Sequence, residues 1–273
     1  MSADSGPAAV STRQGHASPA QPVSRADLFA YTMRLGDDAL VYSARMAEWI
    51  AAAPQLEEDV ALGNIALDLL GQARTLLTYA GHVEGAGRNE DTLAYMRDER
   101  DFVNAQIVEL PIGDFGFTVA RMLVVSAYQY ELYTALTDST DETLAAIAAK
   151  AVKEVDYHRD HATQWTLRLG DGTPESHERM QRGLAELDPY VGELFERDEL
   201  VQRLVEQEVA VDPGALRDPV LRYVDSVLAE ATVARPATDV HHRGGRDGVH
   251  TEHLGYLLAE MQYLARSHPG ASW

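Results

Sequence analysis

The stretch that most constrains this chain is Glu57 to Ala80, EEDVALGNIALDLLGQARTLLTYA. At about 100° per residue, Leu62, Ile65, Leu67, Leu69, Leu70, Leu76 and Leu77 spread over more than half of a helix circumference. A helix apolar over that much of its surface belongs near the middle of a bundle. Asn64, Asp68 and Gln72 nevertheless stack at i, i+4, i+8 in one narrow polar stripe, and Asp68 is the only ionisable residue between Val60 and Ala73. Periodicity alone fits a thin exposed strip as well as side chains turned toward a partly buried interior. The lack of Lys, Arg and Glu in the stripe speaks for the interior.

The chain has 273 residues, 45% of them hydrophobic, enough for one large helical domain or two small ones. With no cysteine, disulfides and thiolate metal sites are excluded. The 43 acidic and 23 basic residues give a formal charge of −20, which repels nucleic acid and anionic membranes and makes neither an expected partner. An anionic substrate would need a local arginine cluster working against that field. No apolar run reaches the roughly 18 residues of a membrane span, and the start lacks a basic-then-apolar secretory layout. The expected location is the cytoplasm.

In chain order, residues 1–24 read as a disordered leader, 25–266 as a single helical domain and 267–273 as a tail. A first helix runs from Ser24 to about Ala53 on an apolar face of Leu28, Tyr31, Leu35, Ala39, Tyr42, Met46, Trp49 and Ile50. Asp38 lies at the edge of that face, and Asp37 and Glu48 point away. The opening stretch forms the second helix, to about His82, and Asp91 to Leu110 is broken helix. A third long helix spans Asp114 to Leu136, with Glu131 inside its apolar arc. Ser139 and Glu142 form a capping-box pattern for a fourth, stopped at Gly170-Asp171-Gly172. There His158 sits in the apolar stripe, and Lys150, Glu154 and His161 flank it. Shorter amphipathic segments follow, with an interruption at Pro189, then a long loop from Ala234 to Gly248. Thr251 caps a last helix carrying Leu254, Leu257, Leu258, Met261 and Leu264. No strand-like alternation competes, so the expected fold is all-α: a four-helix bundle core with additional C-terminal helices.

Two helix pairs with polar residues turned inward suggest the ferritin-like carboxylate architecture. Its di-iron form needs an acid on one helix and Glu-x-x-His on the next, twice over. Here Glu154 and His158 are i, i+4, Val155 stands three before His158, and Leu69 stands three before Gln72. Asn64 and Asp68 offer one anionic donor between them, too little to balance two irons. The expectation is that no metal binds. Asn64, Asp68 and Gln72 should instead form hydrogen bonds inside the bundle with Lys150, Glu154 or His158. The competing reading is a Lys150–Glu154 pair at the surface. His250-x-x-His253, with Glu252, His241 and His242, could make a zinc site, but a capping and surface role suits a loop better. Tyr128, Tyr130 and Tyr133 read as packing rather than a radical relay. No phosphate loop or nucleophile elbow is present.

The runs YTMRLGDDALVYSARMAEW, DVALGNIALDLLGQAR, DTLAYMRDERDF, AVKEVDYH and HTEHLGYLLAEMQYL resemble the C-subunit family of ring 1,2-phenylacetyl-CoA epoxidase, over about Asp27 to Trp273. The resemblance implies a multicomponent enzyme that inserts one oxygen atom of O2 into the aromatic ring of phenylacetyl-CoA. In such enzymes a separate ferritin-like A subunit holds the di-iron site, and a reductase with FAD and an iron–sulfur centre brings electrons from NADPH. The C subunit shares the bundle, is regarded as structural and pairs tightly with the A subunit, alongside further epoxidase subunits. About thirty residues before Gln72 and His158, where carboxylate ligands are expected, stand Ala39 and Ser126. No catalytic, cofactor or metal residue carries over. Asn64, Asp68, Gln72, Glu131, Lys150, Glu154 and His158 are the polar residues of a degenerate centre. Rival readings are an enzyme with its own metal centre built from Glu131, Glu154, His158 and Asp68, and a free-standing helical binding protein. The family reading implies a poor monomer whose apolar patch is buried over on the order of 2,000 Å² or more. The loop Ala234 to Gly248 and the tail to Trp273 are expected to need a partner for order.

Overall fold

Four long helices carry the architecture in a computed structural model that describes residues 23–271. They are α1 (Arg25–Ala47), α2 (Leu56–Glu84), α5 (Phe115–Leu136) and α6 (Glu142–Gly170). Between the pairs lie the short α3 (Glu90–Tyr95) and α4 (Gln106–Glu109). After them come α7 (Pro174–Val191), α8 (Glu199–Val205), α9 (Pro213–Glu230) and α10 (Glu252–Ser267). The described residues contain no strand, and the fold is the all-α, ferritin-like bundle. The leader (apart from residues 23 and 24) and the end of the tail at Trp273 lie outside the described residues.

Local chemistry sets most boundaries. Ser24 caps α1 by accepting from the Asp27 N–H. Its α-helical part ends at Ala47 rather than near Ala53, and the chain turns with Ala51 at φ 65°. Gly85, at φ 72°, ends α2 in the left-handed region where a glycine carries no Cβ penalty. The cap of α6 is Asp141 rather than Ser139; it accepts from the Leu144 N–H at 2.9 Å. The Ser139 hydroxyl donates to the Val209 carbonyl instead. Helix α7 runs through Pro189 for two more residues, and α9 begins at Pro213, a proline suited to the first helical turn.

α1 packs along α2, and α5 along α6, as two antiparallel hairpins; α2 and α6 meet more sparsely. α7 and α9 cover α5, α8 touches α1, and α10 lies over α3 and α4. Leu35, Tyr42, Met46, Leu69, Leu76, Leu123, Ala148 and Val155 are buried in one continuous core.

The polar interior differs from expectation. Asp37 and Asp38 do not point away from the core or sit at its edge; both are buried. Asp37 forms a two-point pair with Arg97 and accepts from the Val103 N–H at 3.0 Å. Asp38 is held by Arg246 at 2.7 and 2.9 Å and by the Ala105 N–H at 2.8 Å. The covering segments lie roughly sixty and two hundred residues downstream, which α1's own periodicity cannot register. Arg121, in the second turn of α5, is fully buried by the Tyr42 and Phe117 rings, 5.4 and 5.6 Å from its guanidinium carbon. It donates to the carbonyls of Leu110 and Pro111, which precede α5 and have no helical partner.

The segment from Ala234 to Gly248 is tied down inside the chain's own fold, contrary to the expectation that it needs a partner. Glu193 accepts from the N–H groups of Gln106, Gly244 and Gly245 at 2.6–3.0 Å. Gln106 donates to the carbonyls of Arg243 and Val249, and Arg246 locks onto Asp38. On α10, Leu254, Leu257 and Leu258 are buried as the periodicity indicates, while Leu264 faces outward beside Tyr263.

Candidate functional site

Where α2 and α6 face each other they meet sparsely, and polar side chains bridge them. Gln72 Nε2 donates to Glu154 Oε2 at 3.0 Å, and His158 Nε2 lies 3.1 Å from Asp68 Oδ2. Asp68 to Gln72 is one helical turn, and so is Glu154 to His158; in antiparallel helices the two rungs therefore match. Lys150 Nζ approaches the other Glu154 oxygen at 3.3 Å from the solvent side. Two further bridges go beyond the sequence reading: Glu58 to His161 at 2.8 Å, and the Tyr79 hydroxyl to Asp141 at 2.5 Å. Their only signal in the sequence is His161 at the edge of the α6 stripe.

The rungs differ in exposure. Glu58, Gln72 and His158 are buried, His161 nearly so, Asp68 and Glu154 are partly open, and Lys150 is in water. Burial lowers the His158 pKa, against the opposing pull of Asp68, so the ring is neutral at pH 7 and donates its Nε2 proton to the carboxylate.

Five residues of the expected polar set thus meet: Asp68, Gln72, Lys150, Glu154 and His158. Asn64 does not. It is exposed on α2, rotated about 40° from Asp68 on the side away from the core, and takes no part in the seam. Glu131 is half-buried on α5 and also lies outside this set.

The positions where a di-iron bundle needs ligands can be tested against the side chains present. Ala39, Leu69, Ser126 and Val155 are all buried and offer methyl groups, branched carbons and one hydroxyl. Gln72 is engaged by Glu154 and His158 by Asp68. An iron pair needs four carboxylates and two imidazoles converging on one cavity, and this donor set does not fit it. Among the described residues, no three His, Asp or Glu side chains converge as a metal-binding group.

The histidines near the C-terminus diverge. His250 is not at the surface: its side chain is buried, with Nδ1 2.8 Å from Glu109 Oε2 and Nε2 2.9 Å from the Phe102 carbonyl. Burial opposes its charge, but the Glu109 carboxylate overrides this and raises its pKa. His242 stacks on Tyr190 at 4.5 Å instead of turning toward His250. Tyr128 and Tyr133 are core side chains, and burial pushes both phenols above their ordinary range. Tyr130 is half-buried and covered by the Arg159 guanidinium, 3.4 Å from the ring centre.

No helix among the described residues is long and apolar enough to cross a membrane. Residues 13–273 match the family model described as phenylacetic acid catabolic protein. The chain is also 49% identical over 246 residues to the C subunit of the 1,2-phenylacetyl-CoA epoxidase of Escherichia coli (strain K12), covering 90% of this chain and 99% of that protein. Matched along nearly its whole length, this helical bundle belongs to the phenylacetic acid catabolic protein family.

Proposed function

We propose that this chain is a non-catalytic, structural subunit of a multicomponent di-iron monooxygenase that epoxidises the aromatic ring of phenylacetyl-CoA in aerobic phenylacetate catabolism. In this reading it works in the cytoplasm and carries no cofactor. The di-iron site belongs to an A-type partner, and FAD, the iron–sulfur centre and NADPH oxidation belong to a reductase. The seam between α2 and α6 replaces a metal centre as the element that holds the two helix hairpins together.

The observation that carries this reading is the outer face of α2. Leu56, Val60, Leu67 and Leu70 are 74, 56, 65 and 42% exposed. With Gly63 they fall at intervals of four, three, four and three residues, in a stripe opposite the seam. Ile50 extends the stripe, and above Gly71 there is open space. The sequence of α2 asks for burial on two sides, and the chain itself supplies one. The spacing suits a partner helix, and the charge of −20 calls for a basic rim on that partner. Covering each of these large side chains contributes about 1.5–3 kcal/mol at most.

The test is sedimentation of the full chain with an A-type subunit at micromolar concentration, beside metal analysis of the isolated chain. The expected result is a stable complex that the double substitution Val60→Glu, Leu67→Glu weakens at least tenfold, and no stoichiometric metal. A chain that ignores the A-type subunit, or that carries a bound iron pair, overturns the reading.

A further inference from the structure

A cleft of about 190 Å³ lies between α5, α7, α9 and the segment that follows α9; α2 is not among its walls. Leu184, Leu187, Phe195, Leu221, Val224 and Leu228 give it an apolar body. Its polar groups are few, and most are already engaged. Asp188 accepts from the Thr238 N–H at 3.0 Å, and Arg235 is turned to Asp225 at 3.1 Å. Two are not: His241, and Arg217, an exposed residue in the second turn of α9 and the one of the two that carries a fixed positive charge.

Arg217 has no carboxylate partner among the described residues. Like Arg100 and Arg222, it lacks the acid that most arginines find in this chain of 43 acidic and 23 basic residues, and of these it is the one that borders the cleft. The arginines lining the cavity beside α1 show the contrast: Arg34, Arg197 and Arg246 are held by Asp198, Asp212 and Asp38, and Arg243 lies 3.9 Å from Glu196. Guanidiniums so neutralised offer little to a bound anion. Arg217 keeps its donor fork free, at the edge of an apolar hollow.

We propose that this cleft binds a small aromatic monocarboxylate, with its ring among Leu187, Leu221, Val224 and Leu228 and its carboxylate on the Arg217 fork. Size and charge both select this class. The volume is below the roughly 300–1,000 Å³ of sites for drug-sized ligands and suits one ring. The chain's negative field disfavours polyanions such as nucleotides, whereas a monoanion with an apolar body brings one charge for one guanidinium. A planar carboxylate also matches that fork two-point to two-point.

The experiment is titration calorimetry of the full chain with phenylacetate and with its neutral isostere phenylacetamide, with methyl shifts of Leu187, Leu221 and Leu228 reporting the location. The expected result is saturable binding of the acid at least tenfold tighter than the amide. Arg217→Ala should erase that difference and leave amide binding unchanged; because Arg217 is exposed, this variant keeps the wild-type melting temperature. Leu221→Trp, which fills the cleft, should remove binding of both. Absence of saturable acid binding, shifts confined to other methyls, or an Arg217→Ala variant that still prefers the acid would each overturn the proposal. None of these outcomes bears on association through α2, which is measured separately.

Discussion

His158 Nε2 stands 3.1 Å from Asp68 Oδ2, joining a buried neutral ring on α6 to a partly open carboxylate on α2. Removing the acid strands a buried N–H. Asp68→Ala should therefore cost about 1–3 kcal/mol in urea unfolding. Metal content, measured alongside, should not change.

The same ring sets part of the acid limb of stability. Its pKa is lowered in the folded state, so below the ordinary histidine value of about 6.5 the unfolded chain binds the proton first. The contribution is intact above that value and is lost as pH falls toward the lowered pKa. His158→Gln should flatten the stability profile below about pH 6.5, read as unfolding midpoints across a pH series.

His250 carries the opposite sign. Glu109 raises its pKa, so the stabilisation is fully present below about 6.5 and is lost as pH rises through the raised value. Glu109→Gln should remove that alkaline loss and lower stability in the acid range. An NMR titration of the His250 ring should show its midpoint moving down in the variant.

Arg121 tests how a buried cation is tolerated in this core. Its charge rests on two rings and two carbonyls rather than on an acid. Arg121→Ala should cost about 3–5 kcal/mol, because it leaves both a cavity and unpaired carbonyls. Arg121→Met keeps most of the volume and should cost less than half as much, in the same denaturant series.

Gly170 ends α6 directly beneath the end of α9. A methyl group there would press into the Ala231 backbone carbonyl and come within 2.8 Å of the Ala231 Cβ. Gly170→Ala should destabilise by about 1–3 kcal/mol through overpacking, seen as a lower melting temperature.

Sequence alone determined the long helices and the set of polar side chains from which the α2–α6 seam is drawn, but not which of them pair. Helix caps and apolar periodicity act within four residues, so Asp68 with Gln72 and Glu154 with His158 could be read as two matching turns on two helices. Ala39, Leu69, Ser126 and Val155 are likewise legible, since a side chain without a carboxylate or imidazole cannot stand in for an iron ligand in any fold. What covers a residue was decided only by tertiary structure. Asp37, Asp38, Glu109 and Glu193 are buried by segments dozens to some two hundred residues away, and no local pattern in α1, in α4 or just past α7 carries that information. Asn64 and Asp68 belong to one stripe in the sequence, yet a 40° rotation about α2 leaves the first in water and the second on His158. The apolar girth of α2 was plain from its leucines. Which of its sides stays open depends on where α1 and α6 come to rest, because a helix's periodicity fixes the angles between its faces but not the neighbours that cover them.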